Sequence, residues 1–383
     1  VSKLFIAVGV VLILGAILWW ALGVNNLVKV PESIDTRIDF EGTDTFYVNP
    51  ITNEFLPPGQ ELVLPTTAYL TMVSENDQYS SKKAVISGVS ETNISGQEFI
   101  APYRVVVDRK TCFNVPDDRA YVFTEGNYVD RSGAISYGWP IGTKKIDYPM
   151  WKEELAAPMI QKFIGEADKG GVHVYNFRAE VKQQEMATPY IEFAKLPASM
   201  DFNKFKDAAK ALGLDLDGLM TLARQKFSPE DLAALNEALA AGVPLKYYLD
   251  DEEEFSVDPK SGLIIDGYLA KATISVKADL TGMTQLTAVF TKYASDPALG
   301  AALTKLASAA PMLEQMPGQT VMKTDSRQTP DSVSKSIADA KKTDNTLEMV
   351  KLYIPLALLA AGLILLLVGV VILPRKQSQP RAE

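Results

Sequence analysis

Apolar positions crowd the two ends of this chain and alternate with polar ones between. Leu4 to Val24 and Leu352 to Leu373 are uncharged apolar runs. A helix rising ~1.5 Å per residue crosses a hydrocarbon core in about 20 residues, so each run predicts a transmembrane helix. From Val28 to about Tyr190 the pattern is β. Short Val, Ile, Thr, Tyr and Phe runs such as Thr66 to Val73, Lys83 to Val89 and Tyr103 to Val107 are separated by turn residues. Trp151 to Gly165 reads as a short helix and a strand.

From Ser199 to Ala241 the period becomes helical, with Phe202, Phe205 and Ala209, then Leu219, Met220 and Ala223, at three- and four-residue steps. Ser228-Pro229-Glu230-Asp231 starts a helix, because Ser caps, Pro fits the first turn and acids face the positive end. Gly242 ends it. Strands return from Leu245 to Val276, and Thr284 to Met316 is helical again. Asp250 to Glu254 is a run of acids, read as a solvated loop before a strand.

The expected fold class is α+β: a mostly antiparallel β domain with a helical insert, flanked by N- and C-terminal transmembrane helices. The expected segments are a first span (1–24), a β-rich region (25–198), the helical insert (199–242) and a second β and helical part (243–325). A stalk (326–350), a second span (351–374) and a tail (375–383) follow. Lys3 precedes the first span and Arg375, Lys376 and Arg381 follow the second, while the inner flanks are mixed. The positive-inside rule then puts both termini in the cytoplasm and the large domain outside it, at a bacterial plasma membrane. Ala21-Leu22-Gly23 also fits a signal-peptide cleavage site, which would leave the domain on the same side.

Chemistry is sparse. The net charge of −9 and the lack of a basic stripe argue against nucleic acid. One Cys (Cys112) and one His (His173) cannot build a Cys/His zinc site or an intrachain disulfide. No phosphate loop or nucleophile elbow is present, and Asp215 and Asp217 open no complete calcium loop. The expectation is no metal, no cofactor and no catalytic group: not an enzyme. A glycan-cleaving carboxylate pair stays open as a lesser alternative.

Aromatic residues are more suggestive. Tyr137, Trp139, Tyr148, Met150 and Trp151 cluster among Gly and Pro, which suits either a packed core or the wall of a ligand pocket. Phe202, Phe205, Leu219 and Met220 give the helical insert an apolar face that packs on the sheet or lids a lipid cavity. Gly9, Gly15, Gly362 and Gly369 offer small-residue faces to partner helices. Asn49-Pro50 and Asp258-Pro259, the latter followed by Gly262, open two similar turns after strands, an internal echo.

The run Asp130-Arg131-Ser132-Gly133, followed by Pro140, Gly142 and Asp147 to Trp151, resembles the actinobacterial envelope family labelled porin PorA. The turn Asp258 to Gly262 and the two-anchor layout are similar too. The resemblance implies a periplasmic β-rich domain tethered to the inner membrane. It also implies a part in moving glycolipids alongside an inner-membrane lipid transporter. The layout resembles that of class B scavenger receptors, in topology only. The expected function is an extracytoplasmic lipid or glycolipid binding and transfer factor in envelope assembly, with the aromatic and helical residues above lining its cavity. The alternative is a non-catalytic scaffold of an envelope-building or lipid-export complex.

Overall fold

A computed structural model describes residues 2–49, 54–57, 59–136, 138–211, 214–267, 270–279, 284–315 and 318–372. Tyr137, Pro50 and the tail from residue 373 on lie outside the described residues.

The strands are β1 (Asp35–Phe46), β2 (Leu62–Ser74), β3 (Lys83–Ile94), β4 (Gln97–Asp108), β5 (Tyr121–Val122), β6 (Tyr148–Lys152) and β7 (Ala157–Lys169). They continue with β8 (Val172–Glu185), β9 (Ser199–Met200), β10 (Val243–Val257), β11 (Ile264–Gly267), β12 (Ala270–Ala278) and β13 (Gln319–Gln328). They make one antiparallel sheet in the order β5-β4-β3-β2-β1-β13-β12-β10-β8-β7-β6, with β9 and β11 also on β10. The sheet curls until its ends meet. Val107 on β4 bridges Asn114, Phe113 bridges Ile135, and Ile135 bridges Met150 on β6. Ile135 N donates to Pro149 O at 2.8 Å and Trp151 N to Ile135 O at 2.9 Å. Closure of this kind leaves little free edge for another chain to pair with.

Apolar side chains fill the concave side in patches. One patch holds Ile38, Phe40, Leu70, Tyr103 and Val105. A second holds Ile135, Trp139, Tyr148, Met150 and Phe177, and a third Tyr247, Leu249, Ile274 and Val321. On the convex side of β1 and β10 the residues are polar: Arg37, Asp39 and Glu41, and Lys246, Glu252 and Glu254, are exposed or half-buried. A lipid-facing barrel carries an apolar band there.

Two segments depart from the reading by pattern. Trp151 to Gly165 holds no helix: β6 and β7 pair as a hairpin. The acidic run is no loop. It lies inside β10, where side chains alternate, so Asp251 and Glu253 turn inward and are buried while Asp250, Glu252 and Glu254 stay half-buried outside.

Helices α4 (Phe202–Ala211), α5 (Leu216–Lys226) and α6 (Pro229–Ala241) are joined by α7 (Thr284–Thr291) and α8 (Pro297–Gln315). Asp215 caps α5 at Gly218 N, and Ser228 caps α6 at Asp231 N. Phe205, Leu219, Ala223 and Leu235 pack with Val289, Phe290 and Leu299. The insert is therefore completed by residues about 60 positions downstream. No amphipathic face this broad is stable exposed, since burying one Leu or Phe is worth ~1.5–3 kcal/mol.

At the ends, α1 (Ser2–Leu18) runs through a π-helical turn (Trp19–Gly23) into α2 (Val24–Leu27). A single continuous helix, Pro330–Val371, comprises α9 (Pro330–Glu348), a second π turn (Met349–Tyr353) and α10 (Ile354–Val371). The apolar parts of both are long enough to cross a membrane. They pack on each other, with Cβ-free contacts at Gly9, Gly362 and Gly369. A methyl at Gly9 would sit 2.7 Å from Gly362 O, and one at Gly369 2.9 Å from Ile6 N. Three of the four glycines expected to meet a partner helix thus serve contact within the chain, while Gly15 faces open space. Trp19 Nε1 donates to Val350 O at 3.0 Å, tying the two π turns together. The segment expected as a stalk is no free spacer. Gln319–Gln328 is a sheet strand, and α9 lays Ile337 and Ala340 on Val172, Val174 and Ile265. A short helix, α3 (Thr188–Phe193), follows β8.

Candidate functional site

The two echoing segments are closed by the same hydrogen bond. Asn49 N donates to Glu54 O at 2.7 Å and Asp258 N to Leu263 O at 2.9 Å, the same reach in the chain. In the second turn the Asp258 carboxylate accepts from Lys260 N at 3.1 Å, from Ser261 N at 3.0 Å and from Ser261 Oγ. Gly262 has φ +77°, and a Cβ there would sit 2.3 Å from Trp139 O. Trp139 N donates to Gly262 O and Gly142 N to Lys260 O, each at 3.2 Å, so the 139–142 loop and the turn interlock.

Against this turn lies the last part of α9. Lys260 Nζ reaches Glu348 at 3.0 Å and Asp344 at 3.4 Å. On the other side the β7–β8 hairpin closes in: Lys341 Nζ donates to Gly170 O at 2.7 Å, and Asp168 accepts from Gly171 N at 2.9 Å. Between them is a polar cleft of about 440 Å³, lined among others by Asp168, His173, Lys260, Lys341, Asp344 and Glu348. Its His173 is an exposed strand residue whose Nε2 lies 2.9 Å from Glu166. Asp344 is eight residues before Leu352, about 12 Å along the helix from where the chain turns apolar. The cleft therefore lies beside the start of the apolar helix.

Burial and the neighbouring Asp258 carboxylate push Asp344 up to about 6. Hydrogen bonding to Glu348 raises the Lys260 amine above its ordinary value. Two amines, several carboxylates, an imidazole and the Asn345 amide converge on one space. Such a set can donate to and accept from a ligand rich in hydroxyl, phosphate or amine groups.

The residues expected to line one lipid cavity fall in separate places. Trp139, Tyr148 and Met150 pack together, with Trp139 2 % exposed and ring centroids 5.5 and 5.7 Å from Phe177 for Trp139 and Tyr148. They form core. Trp151 points to the other side of β6, and its Nε1 donates to Glu153 at 2.8 Å. Phe202, Phe205, Leu219 and Met220 sit in the core of the helical unit. That unit joins β10 at Val243, the opposite strand end from the cleft, about 45 Å away at ~3.3 Å per residue. Arg131 is buried and ties the closing seam: it donates to Arg104 O at 3.1 Å and pairs with Glu153 at 2.7 Å. Asp130 caps Ser132 N at 2.9 Å, and Gly133 has φ +81°.

Pattern reading missed a buried charge cluster. Lys152 lies 2.7 Å from Asp251, 2.8 Å from Glu253 and 3.8 Å from Glu154. Gln161 Nε2 donates to Glu253 at 2.8 Å. The signal was present: Leu245, Tyr247, Leu249 and Val257 put every odd position of β10 on the core face. It missed the cleft as well, whose walls come from residues 168–173, 258–260 and 341–348.

Fold and cleft together define a two-anchor membrane protein with a curled, polar-faced β domain standing on its paired helices. The chain belongs to the Porin PorA family, whose profile matches residues 1–371. No curated protein matches it.

Proposed function

We propose that this protein binds the head group of a membrane lipid or glycolipid and passes the lipid on during assembly of a bacterial envelope. The carrying observation is the polar cleft built on the helix that continues into the membrane. A lipid whose tails stay in the bilayer presents its head group at that height. At about 440 Å³ the cleft has the size of one or two sugar rings or a phosphorylated head group. Two packed anchors hold such a site at a constant height and orientation. Binding, not bond cleavage, is the reading, and it requires neither metal nor cofactor. The domain stands outside the cytoplasm in this proposal, on the charges flanking the spans, and the receiving or delivering partner is an inner-membrane lipid transporter. Nucleic acid has no part in it.

A second reading, a scaffold within an envelope-building complex, draws on Ile160 and Ile164. They stand 47 % and 52 % exposed on β7. Solvent extraction and native mass spectrometry on the full chain, purified in detergent from its host's membranes, separates the two. A lipid at one per chain, lost in Lys260→Ala or Lys341→Ala protein that still folds, supports the carrier. A folded chain that takes no lipid under any loading overturns it and favours the scaffold.

A further inference from the structure

We infer that the carboxyl groups of Asp258 and Asp344 form a proton-operated clamp, which holds the membrane-entering helix against the Asp258–Gly262 turn and sets how far the cleft opens. Asp258 is buried, and its oxygens already serve Lys260 N, Ser261 N and Ser261 Oγ inside the turn. Asp344 projects from α9 within hydrogen-bonding reach of Asp258. Its Oδ1 is buried and has no hydrogen-bond partner among the described residues. Two acceptors face each other there, and only a proton turns that contact into a bond.

The charged surroundings fit a switch. From the turn, Asp258 and Lys260 face Asp344, with Lys260 shared between Asp344 at 3.4 Å and Glu348 at 3.0 Å. From α9 come Lys341 and Glu348, and from the β7–β8 hairpin Asp168 and His173. Lys260 is shared between Asp344 and Glu348, and Lys341 donates to Gly170 O, so the cations do not neutralise all the nearby carboxylates. A second carboxylate in contact disfavours the charged form of the half-buried Asp344, so Asp344 holds its proton above the usual carboxylate range. Burial and Asp258 bring that proton off Asp344 at about pH 6.

With the proton in place, Asp344 donates to Asp258 and α9 is pinned to the turn. Without it, the two anions repel, the end of α9 lifts, and the cleft widens with one more negative charge. Because α9 continues into α10 without a break, the same event loosens the joint between domain and membrane helix. The clamp regulates the cleft described above but does not need a lipid in it.

Amide hydrogen exchange on the full chain in lipid nanodiscs, with no added ligand, tests this between about pH 5 and about pH 7.5, bracketing the Asp344 value. Rates are normalised to those of unstructured peptides at each pH. In the native protein, protection at 258–263 and 340–348 falls about tenfold or more as pH rises through the transition, the change expected for one unit of coupling. Asp344→Asn carries an amide that donates to Asp258 at every pH, so its protection stays high and flat. Segments of β2 and β3 report any general unfolding. A native protein with flat protection overturns the clamp, as does an Asp344→Asn protein that keeps the step. Either failure leaves the head-group reading intact, since no lipid is measured.

Discussion

Replacing Lys152 with Met is the sharpest test of the packed interior. Met keeps most of the unbranched volume and removes the charge. In the native protein the Lys152 amine is held well above its ordinary value. Burial works against the charge, and Glu154, Glu253 and Asp251 overcome that penalty. Burial also pushes the Glu253 carboxyl up, with Lys152 opposing. One ammonium among three carboxylates stays charged, while the Glu253 carboxyl keeps its proton longer than it would in water. Taking the ammonium away strands Asp251 and Glu253 at 2 % and 6 % exposure.

Breaking a buried pair in this way costs ~3–5 kcal/mol. At roughly 2–4 °C per kcal/mol for a domain of this size, Tm falls by about 10 °C. The sign with pH follows from the raised carboxyl. A folded pKa above the unfolded value stabilises at pH below the unfolded value, near 4.5, and that contribution is lost as pH rises through the folded value. The deficit of Lys152→Met therefore grows from about pH 5 to about pH 8, as the stranded acids must stay protonated to remain buried. Thermal unfolding of the full chain in detergent, followed by circular dichroism at both pH values, gives the answer. Adding Asp251→Asn and Glu253→Gln to Lys152→Met recovers most of the loss, because the one carboxylate left, Glu154, is partly exposed to solvent. A Tm drop under about 2 °C, within the range of an ordinary surface change, would refute the reasoning. So would a deficit that shrinks as pH rises.

Gly262→Ala places a methyl at φ +77° against Trp139 O and is expected to cost about 2 kcal/mol in urea unfolding; a neutral result shows that the two loops do not interlock. Gly362→Leu forces the paired helices apart at Gly9, so cysteine cross-linking between α1 and α10 should fall sharply while the β domain stays folded. Asp231 is held down to about 2 by hydrogen bonds from Lys292, Tyr293 and Ser228. Its contribution to the helical unit is present above the unfolded value of 3.8 and is lost as pH falls toward 2, and Asp231→Asn should flatten that acid limb in an unfolding titration.

What the chain states locally is legible in its sequence. The apolar runs fall in the two paired helices, because a membrane-crossing helix needs only its own ~20 residues. Asp215, Ser228 and Gly242 bound α5 and α6, since a cap acts on N–H and C=O groups within a few positions. The strands β2, β3 and β4 follow from their runs of Val, Ile, Thr and Tyr, and the echo between Asn49 and Asp258 follows from the chemistry of one turn.

Long-range contact decided everything else. The aromatic cluster suits a core or a pocket until Phe177 and Val257 join Trp139 in one buried patch. The acids of β10 look solvated as a run, and only the pairing of β10 with β8, and of β7 with β6, brings Lys152 beside two of them. The cleft joins segments more than 170 positions apart, and the sheet closes through single bridges at Asn114 and Ile135 that leave no periodic trace. Periodicity reports which face of an element is apolar. It carries no information on which distant element covers that face, and the cleft, the clamp and the buried lysine all depend on that choice.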